Sequence, residues 1–284
     1  MSTPEDSLWL NKTVVVVAAQ ISPGPDEAEN LRIIERCVAE AARRRASLVV
    51  FPEYASYFSG RLGADFVAHA QPLDGPFVCQ LAEIAAVHGI HVVAGFGEVD
   101  DQDDQRLWNT VVAVSPKGEI EGIYRKVHLF DTFGHHESRY VRPGPLDDPQ
   151  TFEVEGIVVG LQAGYDLRFP EITRRIVDAG AELVAVPSQW VGGSLKELHW
   201  RTLAQARAIE NTVYVLAAGQ SVPDGIGRSL IVDPMGVVLS ATGAEDALVH
   251  TEISLQRIAQ VRATNPALLG RRFAVTIADE SQQR

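Results

Sequence analysis

Cysteine is scarce in this chain: 284 residues carry only Cys37 and Cys79. With no CxxC or mixed Cys/His spacing, two thiols make neither a zinc module nor the disulfide framework of a small secreted scaffold. Positive charge is also short. Lys and Arg number 25 against 37 Asp and Glu, a net charge of −12, which argues against nucleic acid or an anionic membrane as partner. The longest basic run, Arg43-Arg44-Arg45, closes a helical pattern where cations meet the negative end of the helix dipole; it reads as a solvated helix end. Long apolar runs are missing too. The first, Val14 to Ala19, is far too short to span a bilayer or serve as a signal segment, and the preceding Met1–Asp6 stretch is acidic. A cytoplasmic, reducing location is the expectation. Gly95, Gly97, Gly192 and Gly193 have neither GxGxxG nor Walker spacing around them, so no phosphate loop is read there.

What is present is ordinary globular composition, 46% hydrophobic and 22% charged, which excludes disorder and fibrous repeats. A β-branched strand, Thr13 to Gln20, ends in Ser22-Pro23-Gly24-Pro25. Leu31, Ile34, Val38, Ala41 and Ala42 then recur at helical spacing over Asp26 to Arg45. A strand at Ser47–Phe51, a helix at Pro76–Val87 and a strand at His91–Gly97 continue a β-α-β-α-β pattern. Strands follow at Leu107–Ser115, Glu119–Tyr124, Ile157–Leu161, Leu183–Val186, Val213–Ala217, Ser229–Val232, Val237–Ser240 and Leu248–Ile253, with helices at Pro170–Ala179 and Leu195–Asn211. This is an α/β chain with more strands than simple β-α alternation supplies, so helices need not cover both sheet faces. No linker interrupts it. A single domain over 1–284 is expected, with its core at about 13–273 and a C-terminal tail at 274–284.

Three polar positions stand at the ends of apolar strands, where sheet enzymes place reactive groups. Glu53 follows Leu48-Val49-Val50-Phe51-Pro52, and Lys126 sits within Tyr124-Arg125-Lys126-Val127-His128-Leu129-Phe130. The strand Ile157–Ala163 runs directly into Gly164-Tyr165-Asp166-Leu167-Arg168-Phe169-Pro170-Glu171. Alone, such a Glu ordinarily caps or is solvated and such a Lys is a surface charge. Together and in this order, the segments resemble the FPE, YRK-HLF and CYD-RFPE signatures of the nitrilase superfamily of carbon-nitrogen hydrolases. Gln20, Gly95-Phe96-Gly97-Glu98, Trp108-Asn109, His199-Trp200, Arg207–Asn211, Ser229 and Asp233-Pro234-Met235-Gly236 extend the likeness over about residues 13–273.

The resemblance implies a four-layer α-β-β-α sandwich and a Cys-Glu-Lys amidase working without metal or organic cofactor. It implies Glu53 as general base and later proton donor, Lys126 as oxyanion holder, and Glu137 as the second glutamate that orients the lysine. Asp166 and Arg168 match positions that fix the turn by hydrogen bonds and ion pairing. Tyr165 and Trp190 are candidate substrate contacts. His128, His135 and His136 fit no zinc spacing. The loop Asp131-Thr132-Phe133-Gly134 reaches Glu137 without the longer Pro-Gly insertion that many amidases of this family carry.

At the nucleophile's place the chain departs from the pattern: Gly164 replaces the cysteine. Glycine cannot form a thioester. Cys37 and Cys79, on helical patterns and away from any strand-end acid, read as ordinary buried small residues rather than substitutes. Two accounts fit Gly164: a deliberate Cys-to-Gly replacement that disarms the enzyme, or a natural pseudoenzyme that binds an amide-like ligand. Retention of Glu53, Lys126 and Glu137 favours the first, since buried charges are costly to keep unused. The implied activity is hydrolysis of a small linear carboxamide to carboxylate and ammonia, nearer the omega-amidase and deaminated-glutathione amidase branch than true nitrilases. Nitrile hydrolysis is the alternative. A carboxylate-bearing amide needs a cation in the pocket, for which Arg168 and Arg201 are candidates. A homodimer or higher homo-oligomer is expected.

Overall fold

The computed structural model describes residues 12–278. The acidic N-terminal stretch and residues 279–284 of the expected tail lie outside the described residues. Strand β1 (Thr13–Gln20) shows how the layers arise. Its side chains alternate between faces, and both faces are apolar. Val14, Val16 and Ala18 pack towards a second sheet, whereas Val17 and Ala19 pack against helices.

The first sheet joins β1 to β2 (Ala46–Val50), β3 (His91–Val99), β4 (Leu107–Val114), β5 (Ile120–Arg125) and β13 (Ala247–Ser254). Its order is β13-β1-β2-β3-β4-β5, with the short β6 (Val141–Arg142) beside β4. The second contains β7 (Thr151–Val154), β8 (Ile157–Leu161), β9 (Leu183–Ser188), β10 (Tyr214–Gly219), β11 (Leu230–Val232) and β12 (Val238–Ala241), in the order β12-β11-β10-β9-β8-β7. Parallel pairs β1–β2, β2–β3, β8–β9 and β9–β10 form the centres. Antiparallel pairs extend the flanks.

Val16, Leu48, Val93 and Val111 meet Leu161, Leu183, Ala185 and Leu216 between the sheets. Outside the first sheet, α1 (Glu27–Arg43) and α3 (Pro76–His88) bury Ile34, Val38, Phe77 and Leu81. Outside the second, α4 (Pro170–Asp178) and α5 (Lys196–Asn211) bury Ile172, Ile176, Trp200 and Ala204. This is the four-layer α-β-β-α sandwich. Gln20 ties distant segments together: its side chain donates to the carbonyl of Gly243 at 3.0 Å and accepts from the amide of Ser229 at 2.8 Å.

Most expected elements are present within a residue or two. Asp26 caps α1 rather than beginning it, accepting from the amide of Glu29 at 3.0 Å. Arg43, Arg44 and Arg45 are exposed, and Arg44 pairs with Glu40 at 2.9 Å. Elements absent from the sequence reading are the short helix α2 (Ala64–Ala68), strands β6 and β7, and the terminal helix α6 (Leu255–Thr264). Strand β7 turns into β8 through Glu155 and Gly156, both at positive φ, a two-residue hairpin turn without the Asn-Gly signature. Helix α6 buries only Ile258 and Val261, too few positions to show a stripe. Among the described residues, no helix is long and apolar enough to cross a membrane.

Cys79 corrects an expectation. It is exposed, because α3 turns Phe77, Val78, Leu81 and Ala85 inward instead. Cys37 is half-buried, and burial pushes its thiol up to about 11.

Candidate active site

Three strand ends converge on one site. Glu53 leaves β2 through Pro52, whose carbonyl accepts from the amide of Gly95 at 3.0 Å. Gly95 has no room for a side chain there, since a Cβ would stand 2.6 Å from the Cα of Glu53. Lys126 leaves β5 with its amide donating to the carbonyl of Asn109 at 2.9 Å. Gly164 follows β8 and opens the 3-10 turn Gly164–Arg168.

The charged groups form a compact buried cluster. Lys126 Nζ lies 2.9 Å from both carboxylate oxygens of Glu137 and 3.2 Å from Glu53 Oε1. The side chains of Lys126, Glu53 and Glu137 are only 5%, 2% and 6% exposed. Asn109 Nδ2 donates to Glu53 Oε1 at 2.8 Å, and the amide of Gln189 donates to Oε2 at 2.6 Å. Glu137 also accepts from the amide of Phe130 at 2.5 Å and the Tyr54 hydroxyl at 3.3 Å.

Burial raises the Glu53 pKa above its ordinary value; Lys126 opposes that and Glu137 reinforces it. Burial works to lower the Lys126 pKa, but Glu137 and Glu53 overturn it and hold the ammonium above its ordinary value. A carboxyl disposed to accept and return a proton therefore stands beside a cation that keeps its own.

Gly164 is buried at φ +20°, the edge of the region L side chains rarely adopt. A Cβ built there would collide with Glu53 Oε2 and lie 2.9 Å from its Cδ. The Glu53 carboxylate thus occupies the space into which a side chain at 164 would project. Any side chain there requires Glu53 to withdraw, which puts at risk its bond from the amide of Gln189.

Asp166 organises the turn that follows. It is fully buried, accepting from the Tyr124 hydroxyl at 2.7 Å and the amide of His128 at 2.9 Å; its carboxylate also lies 2.8 Å from His128 Nδ1. Arg168 makes no carboxylate ion pair among the described residues, contrary to the expected pairing. Its guanidinium lies over the Trp190 and Tyr165 rings at 4.9 and 5.8 Å. Glu53, Lys126, Tyr165, Arg168 and Trp190 line one cavity of about 530 Å³.

Comparison with known proteins follows the same outline. The Carbon-nitrogen hydrolase family profile matches residues 15–263. The chain belongs to the carbon-nitrogen hydrolase family. It is 39% identical over 268 residues to deaminated glutathione amidase of Escherichia coli O157:H7, covering 92% of this chain and 98% of that protein. It is 32% identical to human omega-amidase NIT2, covering 83% and 86%. Among solved structures it resembles an amidase from Nesterenkonia sp. AN1, in a glutamate-to-glutamine mutant after Michael addition of acrylamide at the active-site cysteine. That match has a TM-score of 0.76 at 25% identity, covering 90% and 99%.

Within this hydrolase framework, Glu53, Lys126, Glu137 and Gly164 come together, with Tyr165 and Trp190 at the cavity. Arg201 is exposed and does not line it. His135 and His136 line the cavity, while His128 belongs to the Asp166 turn and stacks on Phe169 at 3.7 Å. Two residues escaped sequence reasoning. Asn109, in the Trp108-Asn109 pair, bonds the general-base candidate directly. Lys196, also in the cavity wall, carried no signal beyond a lone charge at a helix start.

Proposed function

We propose that this hydrolase is built to cleave small linear carboxamides and is disarmed by glycine at position 164. The carrying observation is the convergence of Glu53, Lys126 and Glu137, in contacts of about 3 Å, beside a position that has no side chain. With a thiol at 164, Glu53 takes its proton while sulfur attacks the amide carbon. Lys126 donates to the oxygen that becomes negative, and Glu137 holds Lys126 in place. Glu53 returns the proton to the departing nitrogen, releasing ammonia. It then removes a proton from the water that attacks the thioester, and the carboxylate product leaves as sulfur recovers its proton.

Retention of all three charged groups supports replacement of a cysteine over gradual decay, because an unused buried cluster carries a cost. The position of the Glu53 carboxylate favours a second reading: a natural, non-catalytic binder adapted to glycine. Assembly as a homodimer or larger is supported by apolar side chains left exposed near the C-terminus, Leu269 and Phe273 at 89% and 92%. A monomer by light scattering contradicts that expectation. The cytoplasmic location stays with the proposal.

The activity test measures ammonia release from a panel of small amides and nitriles by the parent chain and Gly164→Cys. Turnover of amides only in the variant supports the disarmed amidase, and preference for nitriles transfers the reading to nitrilase chemistry. A folded variant with an accessible thiol, a bound amide and no ammonia supports the binder.

A further inference from the structure

No contact that positions the Glu53 carboxylate comes from a side chain at 164. Asn109 Nδ2 donates to Oε1 at 2.8 Å, and the Lys126 ammonium lies 3.2 Å from the same oxygen. The amide of Gln189 donates to Oε2 at 2.6 Å, and Gln220 Nε2 fixes the main-chain carbonyl of Glu53 at 2.9 Å. Base, ammonium and the Glu137 that steadies it therefore stand assembled with glycine in place.

The two carboxylate oxygens of Glu53 are not equivalent. Each has room for about two donors. Oε1 faces two, Asn109 and Lys126, whereas among the described residues Oε2 has one, the Gln189 amide. Oε2 is also the atom that a Cβ at 164 would meet first. The oxygen with spare capacity thus faces the place left by the missing nucleophile, in the wall of a cavity of about 530 Å³ that Lys126 also lines.

What glycine removes is the group needed to open an amide, whose nitrogen leaves only once protonated and whose carbonyl resists water. A thioester asks for less. Its acyl carbon is more electrophilic, and an ordinary thiol, with a pKa of about 8.5, departs as its anion.

We propose that the chain as it stands hydrolyses diffusible thioesters of small acyl groups, with water in place of the thiol. The proposal rests on the roles given above to Glu53 and Lys126. Glu53 Oε2 removes a proton from water as the water oxygen bonds to the acyl carbon, and Lys126 donates to the oxygen that becomes negative. The carbon-sulfur bond then breaks, and the sulfur leaves with the electron pair and takes the proton from Glu53. The products are a thiol and a carboxylic acid, which ionises at neutral pH. No acyl group is attached to the protein at any stage. The sulfur of a free ligand is not tethered to residue 164, so it need not enter the space that Glu53 fills.

The probe is S-acetyl-N-acetylcysteamine, followed by loss of its thioester absorbance in a Cys79→Ser background, which removes an exposed thiol able to exchange with thioesters. Consumption is expected about a thousandfold or more above the protein-free rate, with acetamide untouched. Glu53→Gln should be slower by about a hundredfold or more. In heavy-oxygen water with protein in excess, the acetate should carry the label and the peptide containing Glu53 should not; this readout uses the parent alone and so does not depend on the folding of Glu53→Gln. A parent no faster than buffer, or a folded Glu53→Gln as fast as the parent, overturns the proposal. Label on Glu53 also overturns it, since that marks attack by the carboxylate itself. If Gly164→Cys nevertheless releases ammonia from amides, the roles of Glu53 and Lys126 stand and only the thioester activity falls; inertness of both chains removes both readings.

Discussion

Replacing Lys126 with Met tests whether one buried ammonium holds the site together. The substitution leaves two carboxylates, Glu53 and Glu137, nearly excluded from water. At an effective dielectric of about 20, the 3.2 Å contact with Glu53 corresponds to roughly 5 kcal/mol of direct attraction, and the Glu137 contacts are closer. Desolvation offsets much of this in the parent, so the loss expected on breaking the cluster is about 3–5 kcal/mol. Proton uptake limits it. Protonating a carboxyl from its ordinary pKa of 4.5 costs about 3 kcal/mol at pH 7 and about 1 kcal/mol at pH 5. Urea denaturation should therefore show a large loss at pH 7 that shrinks towards about 1 kcal/mol at pH 5, with an unchanged m-value. Adding Glu137→Gln to Lys126→Met should recover part of the pH 7 loss through coupling of the neighbouring sites. A loss below about 1 kcal/mol at pH 7, with the native fold retained, refutes the view that Lys126 neutralises a buried cluster.

Other perturbations carry distinct signatures. Lys196→Met should raise the urea midpoint, equivalent to about 1 kcal/mol or more, because the ammonium is buried against the rings of Phe130 and Phe133 with no salt bridge among the described residues; a lower midpoint contradicts an uncompensated buried cation. Gly164→Ala should cost about 1–3 kcal/mol because its Cβ meets the Glu53 carboxylate, so an unchanged melting temperature argues against the observed Glu53 position. For Glu53, whose pKa is raised, the stabilising contribution is present below pH 4.5 and is lost as pH rises through the folded-state value. Glu53→Gln should accordingly flatten the stability-pH curve above pH 4.5, and an unaltered slope contradicts that assignment.

Much of the fold was legible because strands such as Thr13–Gln20 are apolar on both faces and are punctuated by turn residues. Their excess over helices left one sheet face for something other than helices, and the family resemblance implied that this is a second sheet. Short elements were less legible: the Glu155-Gly156 turn lacks the usual side-chain signature, and α6 shows only two buried positions. For the site, Glu53, Lys126 and Gly164 share a visible pattern, each terminating an apolar strand. Asn109 and Lys196 do not. Asn109 becomes informative when antiparallel pairing places it beside Glu53, and Lys196 when a loop closes Phe130 and Phe133 over its ammonium. Arg168 illustrates the converse: the resemblance implied that Asp166 and Arg168 fix the turn by hydrogen bonds and ion pairing, but Tyr124 and His128 occupy the Asp166 carboxylate. Cys79 similarly depended on which face of α3 turned inward.

The most direct test of a disarmed covalent amidase is intact-mass spectrometry of Gly164→Cys quenched during reaction with a small linear amide. The account predicts an added acyl mass on residue 164, absent from the parent and much reduced in Gly164→Cys/Lys126→Met. No adduct and no ammonia from a folded variant with an accessible thiol and demonstrable amide binding would contradict the account.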